Sequence, residues 1–246
     1  SGMSCREEDV AAEMFVVNSH DYVMFFTNFG KVYRLKCYEI PEGSRVSKGT
    51  NVANLLPIMP DEKVTSMIKV PDFDGEKYLV MVTKSGVIKR TLLSAYDSAR
   101  KGGLIAIDLD DGDELAWVSV TDGATELLVA TKKGMAIRFN ETDVRAVGRT
   151  ARGVKAISLR DGDNVVGMSP VSRETMVLTV SETGYGRLSE IDDYRLQMRG
   201  GKGITNYHVE KYGDVASIKL VSSDEDIILI SESGIIIRIK ADTIRV

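Results

Sequence analysis

The sequence predicts an all-β, propeller-like array of four-stranded antiparallel blades, and three observations carry that reading. First, a short turn of the form Ser/Thr-x-x-Gly recurs five times between apolar runs: Thr27 to Gly30, Thr83 to Gly86, Thr131 to Gly134, Ser181 to Gly184 and Ser231 to Gly234. Its glycines lie 56, 48, 50 and 50 residues apart. Second, the apolar runs are continuous or have period two and are rich in Val, Ile and Thr, as strands are and helices are not. Third, a further glycine (Gly49, Gly103, Gly153, Gly203) follows the turn glycine after 19, 17, 19 and 19 residues, each time closing a basic stretch. A unit of this size cannot bury its own apolar face and has to stack on copies of itself.

The third unit shows each element in order. Leu127-Leu128-Val129-Ala130 is a strand, Thr131-Lys132-Lys133-Gly134 a turn, and Met135-Ala136-Ile137-Arg138-Phe139 the return strand of a hairpin. The arginine-rich stretch Asn140 to Arg152 comes next, and Val154 to Leu159 then alternates like a half-buried strand. Asp161-Gly162-Asp163 makes an acidic turn, and Val165 to Met168 supplies a fourth strand. The other units repeat the plan. Their third strands are expected at Val52–Leu56, Leu104–Leu109 and Ile204–Val209, and their acidic turns around Asp61, Asp111 and Asp214. Their last strands are expected at Val64–Val70, Leu115–Val120 and Val215–Val221, and a fifth hairpin at Ile227–Ile230 and Ile235–Ile239. The repeats span approximately 13–70, 77–120, 126–171 and 175–221, with a partial unit over 226–246, read as one domain over 1–246. The chain is expected to begin and end inside units of a longer array.

Composition narrows the function. The 246 residues are 43% hydrophobic, enough for a substantial core. No apolar run approaches the ~20 residues of a membrane helix, and no signal-peptide pattern is present, so no membrane partner is expected. Cys5 and Cys37 lack metal or redox spacing and read as free thiols of a reducing cytoplasm, with a bridge between them left open. Asp110-Asp111-Gly112-Asp113 resembles the start of a calcium loop but lacks the rest of the ligand pattern, and reads as a hairpin turn. His20 and His208 have no partner at metal spacing, and Trp117 is assigned to the core. No nucleophile–base constellation stands out. Neither catalytic nor metal-binding residues are assigned.

The net charge of −4 hides a segregation. Lys132 to Lys155 carries seven basic and two acidic residues, Lys84 to Lys101 five and one, and Lys31 to Lys48 five and two. Asp108 to Glu126 carries seven acids and no base. The fourth unit departs from this, since Glu182 to Lys202 balances to zero. In a radial array equivalent elements share a face, so the sum is one basic rim and one acidic face, and such a rim attracts polyanions whatever the total. Arginine also recurs four residues after the turn glycine, at Arg34, Arg90, Arg138 and Arg238. These read either as phosphate contacts or as outward strand residues that cover neighbours with their aliphatic stems.

The most specific local motif is Gln197-Met198-Arg199-Gly200-Gly201-Lys202-Gly203. It resembles the Gln-Arg-Arg-Gly-Gly-Lys/Arg-Gly box of the C-terminal domain of the DNA gyrase A subunit, with Met198 as the departure. Asn18-Ser19-His20-Asp21, Gly30-Lys31-Val32-Tyr33-Arg34, Asn54-Leu55-Leu56-Pro57 and Asp111-Gly112-Asp113-Glu114-Leu115 resemble that family too, so the likeness covers essentially the whole chain. The resemblance implies a six-bladed β-pinwheel whose neighbours exchange strands, with about five blades in this fragment. It implies a non-catalytic domain that wraps duplex DNA around a basic perimeter so that the holoenzyme introduces negative supercoils. It also implies partners: the gyrase B subunit, together with the rest of the gyrase A subunit, in an A2B2 assembly of the bacterial cytoplasm. ATP and Mg would be used on other domains, with no cofactor here and an isolated domain that is monomeric. The family's defining box usually lies in the first blade, whereas the motif here lies in the fourth repeat. Ser1-Gly2-Met3 resembles the residues just after the first box in some relatives, which would place that box upstream.

The expected duplex contacts are Arg45, Lys48, Arg100, Lys101, Arg149, Arg152, Lys155, Arg199 and Lys202, together with the box residues Gln197, Arg199, Gly200, Gly201, Lys202 and Gly203. Loop glycines would let the backbone approach phosphates. Two alternatives remain open: the corresponding domain of topoisomerase IV, and a protein-binding propeller that uses its acidic turns.

Overall fold

The computed structural model describes residues 16–44, 48–222, 226–230, 236–240 and 244. Ser1-Gly2-Met3, Cys5, the start of the first repeat, Arg45, the fifth turn Ser231–Gly234 and most of the last segment lie outside the described residues.

The first unit gives β1 (Tyr22–Thr27), β2 (Lys31–Lys36) and β3 (Val64–Val70). The second gives β4 (Tyr78–Thr83), β5 (Val87–Leu92), β6 (Leu104–Ile105) and β7 (Leu115–Thr121). The third gives β8 (Glu126–Thr131), β9 (Met135–Asn140), β10 (Val154–Lys155) and β11 (Val165–Pro170). The fourth gives β12 (Met176–Ser181), β13 (Gly186–Glu190), β14 (Ile204–Thr205), a short helix α1 (Val209–Tyr212) and β15 (Val215–Val221). A last hairpin comprises β16 (Asp226–Ile230) and β17 (Ile236–Lys240).

Each of the first four hairpins turns on a glycine of positive φ: +74° at Gly30, +83° at Gly86, +88° at Gly134 and +89° at Gly184. The Ser/Thr of the motif is accounted for by its hydroxyl, which accepts from the amide just after the turn glycine. Thr83 Oγ1 accepts from the Val87 amide at 3.2 Å, Thr131 Oγ1 from Met135 at 3.1 Å and Ser181 Oγ from Tyr185 at 3.1 Å. Thr27 differs, donating instead to the buried Glu62 at 2.6 Å.

The sheets run β3-β1-β2-β6, β10-β5-β4-β7, β11-β8-β9-β14, β13-β12-β15 and β16-β17. In the second, third and fourth units the third strand is therefore given to the preceding blade. β6 pairs with β2, β10 with β5 and β14 with β9. This shortens the strands expected at Leu104–Leu109, Val154–Leu159 and Ile204–Val209 to two residues each. The ladder stops because its partner strand begins just after the hairpin turn: Ile105 pairs with Lys31, and the next two amides, of Ala106 and Ile107, both reach the carbonyl of Gly30. Val209 opens α1 instead of ending a strand. The strand expected at Val52–Leu56 is a 3-10 turn over Val52–Asn54, with Asn51 Oδ1 accepting from the Ala53 amide at 2.9 Å. No hairpin among the described residues precedes it to extend.

Strands β3, β7, β11 and β15 lie side by side in that order, with Thr65 Oγ1 of one donating to the Leu115 carbonyl of the next at 2.8 Å. The exchanged strands stand at the opposite, outer edge of the first three sheets. Alternation along the strands supplies both faces of a blade. In β1, Met24 and Phe26 pack against Leu79 and Met81 of the second blade, while Val23 and Phe25 pack with Leu56 on the other side. In β4, Val80 and Val82 turn the other way, onto Leu127, Val129 and Phe139 of the third blade. Trp117 is half-buried at that second interface. Burial of apolar area between successive blades is the main stabilising term of such an array.

Candidate nucleic-acid interface

The basic stretches are the segments that cross from one blade to the outer edge of the preceding one. Each begins with a short 3-10 turn, at Leu93–Tyr96, Glu141–Asp143 and Ile191–Asp193, and ends on a glycine. At those glycines a Cβ would lie 2.7 Å from the Tyr33 ring (Gly103), 2.4 Å from the Ile88 carbonyl (Gly153) and 2.3 Å from the Ala136 carbonyl (Gly203). These glycines are required by the crossing itself. Gly49, whose loop has no described blade to cross, meets nothing within 4 Å.

Three of the arginines that follow the hairpin glycines, Arg34, Arg90 and Arg138, are engaged inside the protein. They are inter-blade clamps. Arg34 pairs with Asp97 at 2.9 Å and stacks over Tyr22 and Phe73. Arg90 donates Nε to the Val144 carbonyl at 2.8 Å and lies 3.5 Å from the fully buried Glu141. Arg138 pairs with Glu126 at 2.6 Å and donates to the carbonyls of Ile191 and Tyr194. In each case a guanidinium on one blade holds the start of the next unit's loop.

Lys89 does the same from inside the core. Its side chain is 1% exposed, and its ammonium donates to the carbonyls of Ala106 and Arg149 and to the Tyr96 hydroxyl. Burial, and behind it the charge of Arg149, pulls Lys89 down to about 7. No repeat signal announces it, since Tyr33, Ile137 and Arg187 stand at the matching places.

The expected contact residues fall into two groups. Arg149 and Arg199 are half-buried, and each ties its loop to the loop before it: Arg149 Nη1 donates to the Ile105 carbonyl at 2.7 Å, and Arg199 Nη1 to the Lys155 carbonyl at 3.0 Å. Lys48, Arg100, Lys101, Arg152, Lys155 and Lys202 are exposed. Among the described residues, the side chains of Lys48, Arg100, Lys101, Lys155 and Lys202 make no hydrogen bond or ion pair. Arg152 is engaged, with Asp108 at 2.9 Å and Asp110 at 3.4 Å. Acidic side chains therefore reach the basic loop here, and the two charge faces are not cleanly separate.

The box-like motif fastens neighbouring loops. The Gln197 amide donates to the Arg138 carbonyl at 3.0 Å, and the Gly200 amide to the Ala156 carbonyl at 2.7 Å. The Gly201 carbonyl accepts from the Ser158 amide at 2.9 Å, and the Gly200 carbonyl from the Ser158 hydroxyl at 2.7 Å. Lys202 projects from this buckle, and Gly203 makes the crossing. Among the described residues there is no group of three His, Cys, Asp or Glu placed to hold a metal ion, and no helix long and apolar enough to cross a membrane.

Blades that exchange strands, with cations on the crossing loops, define a β-propeller domain of the pinwheel type. The family described as DNA gyrase C-terminal domain, beta-propeller, matches residues 21–71, 77–122, 125–172, 175–222 and 225–246, and the chain belongs to that family. It is 50% identical over 153 residues to the DNA gyrase A subunit of Clostridium acetobutylicum, a match covering 62% of this chain and 18% of that protein. It is 52% identical over 154 residues to the DNA gyrase A subunit of Halalkalibacterium halodurans, covering 63% of this chain and 18% of that protein. Among solved structures, a C-terminal domain of DNA topoisomerase IV superposes with a TM-score of 0.88 at 27% identity, over 99% of this chain and 76% of that one. A DNA gyrase A C-terminal domain superposes with a TM-score of 0.78 at 30% identity, over 93% of this chain and 75% of that one.

Proposed function

We propose that the chain binds duplex DNA along its outer-edge loops and bends it, as the DNA-wrapping part of a gyrase A subunit. One observation carries the reading. Successive outer-edge segments, fastened to one another in a fixed register, each leave exposed cations without an internal partner among the described residues: Arg100 and Lys101 on one crossing loop, Lys155 on β10 just past the next, and Lys202 on the one after. Bending a site of 20–30 base pairs costs about 1–6 kcal/mol, so contacts must be distributed along the bend, and a row of fixed loops distributes them. Phosphate contacts of this kind position the duplex without reading its sequence. Strand passage, ATP and Mg then belong to the B subunit, with the rest of the A subunit, in an A2B2 assembly of the cytoplasm. A topological assay tests wrapping: nicked circular DNA is ligated in the presence of the chain. A shift in linking number of one sign that grows with protein concentration is expected. Binding without any shift would reduce the chain to a plain DNA-binding domain.

The second reading, the matching domain of topoisomerase IV, is favoured by the TM-score of 0.88. The full-length subunit with its ATPase partner separates the two, because only the gyrase reading requires net negative supercoiling of relaxed plasmid.

A further inference from the structure

The crossing loops of the third and fourth units, called the third and fourth loops below, are built on one frame fifty residues apart. The Asp108 amide donates to the Ala151 carbonyl at 3.1 Å, and the Ser158 amide donates to the Gly201 carbonyl at 2.9 Å. The arginine that ties each loop reaches back to the equivalent carbonyl, Arg149 to Ile105 and Arg199 to Lys155. Asp108 and Ser158 are thus equivalent positions, as are Arg152 and Lys202. Their chemistry differs. Arg152 donates Nε to the Asp108 carboxylate at 2.9 Å and lies 3.4 Å from Asp110, whereas for the fourth loop a serine, Ser158, stands at the place of Asp108 and Arg160 at the place of Asp110.

We infer that Asp108 is a counter-charge that occupies Arg152 and holds down the contribution of the third loop to duplex binding, leaving the fourth loop the stronger contact. The inference rests on the DNA-binding reading above. A phosphate arriving at Arg152 must displace a carboxylate that is already hydrogen-bonded, and the carboxylates of Asp108 and Asp110 repel it. A phosphate arriving at Lys202 displaces only water and counterions. The released counterions drive binding, and a cation already neutralised by a carboxylate has fewer to release.

The test is a mutant cycle read by duplex affinity at several salt concentrations, with the full chain. Asp108→Ser copies the fourth loop, and Asp108→Asn is a second variant of near-native shape. Either is expected to tighten binding about 2- to 5-fold at 0.1 M salt and to steepen the log–log salt slope by about one. Arg152→Gln is expected to cost little in the unsubstituted chain and several-fold in the Asp108→Ser background. An equal cost of Arg152→Gln in both backgrounds overturns the inference, because a general gain from lost negative charge does not depend on Arg152. Failure of the unsubstituted chain to bind duplex in a salt-dependent way would instead sink the DNA-binding reading, so the two failures are distinguishable.

Discussion

Arg138 of the third blade donates a hydrogen bond to the carbonyl of Tyr194, 3.0 Å away and 56 residues along the chain. The same guanidinium pairs with Glu126 at 2.6 Å, so one side chain joins its own blade's inner hairpin strand to the start of the next unit's loop. Arg90 and Arg34 repeat the arrangement at the two earlier interfaces.

Arg138→Met is therefore expected to destabilise the chain by about 3–5 kcal/mol, because it leaves a carboxylate and two carbonyls without their donor. Arg152→Gln, at an exposed pair, is expected to leave the chemical-denaturation midpoint unchanged. Urea titration of both variants checks the contrast. Equal midpoints would show that Arg138 is no clamp.

Gly134 and Gly184 share a positive φ, but only one is crowded. A Cβ on Gly134 would lie 2.2 Å from the Tyr207 carbonyl of the exchanged segment, while Gly184 meets nothing within 4 Å. Gly184→Ala is expected to cost about 1–3 kcal/mol from backbone strain. Gly134→Ala is expected to cost clearly more, since the exchanged strand must also move. Thermal unfolding of the two variants is the measurement, and similar losses would contradict the close approach.

Recurrence made the hairpins, the turn glycines and the basic stretches legible in the sequence. A strand's partner is not written in its own residues, which is why Leu104–Ile105, Val154–Lys155 and Ile204–Thr205 gave no local sign of joining the preceding sheet. The glycines at 103, 153 and 203 carried that information indirectly, since their recurrence at a nearly constant spacing reflects a crossing too tight for a Cβ. The spacing of Arg34, Arg90 and Arg138 was equally visible, but half of their partners are main-chain carbonyls, which every sequence supplies, and the carboxylates Asp97, Glu141 and Glu126 stand at no common spacing from them. Lys89 and the pairing of Arg152 with Asp108 and Asp110 break the repeat, and a signal built on recurrence passes over them.

Lys89 sets a pH dependence. Its pKa falls from 10.5 to about 7 on folding, so between those values the unfolded chain holds more protons. Stability from this group therefore rises with pH between about 7 and 10.5, by at most about 1.4 kcal/mol per pH unit, and does not change below that window. Urea titrations from pH 6 to 9.5 should show this rise in the unsubstituted chain and its loss in Lys89→Met. Parallel curves would mean that the ammonium is not held in the core as described.

The most direct test of the DNA-binding rim is the salt dependence of duplex affinity for Lys155→Gln/Lys202→Gln, two exposed cations, one on β10 and one on the next crossing loop, with no internal partner among the described residues. The double variant is expected to fold with an unchanged thermal midpoint, to bind duplexes of any sequence more weakly, and to lower the log–log salt slope by about 1.8. An unchanged slope with unchanged affinity would contradict a DNA path over these loops.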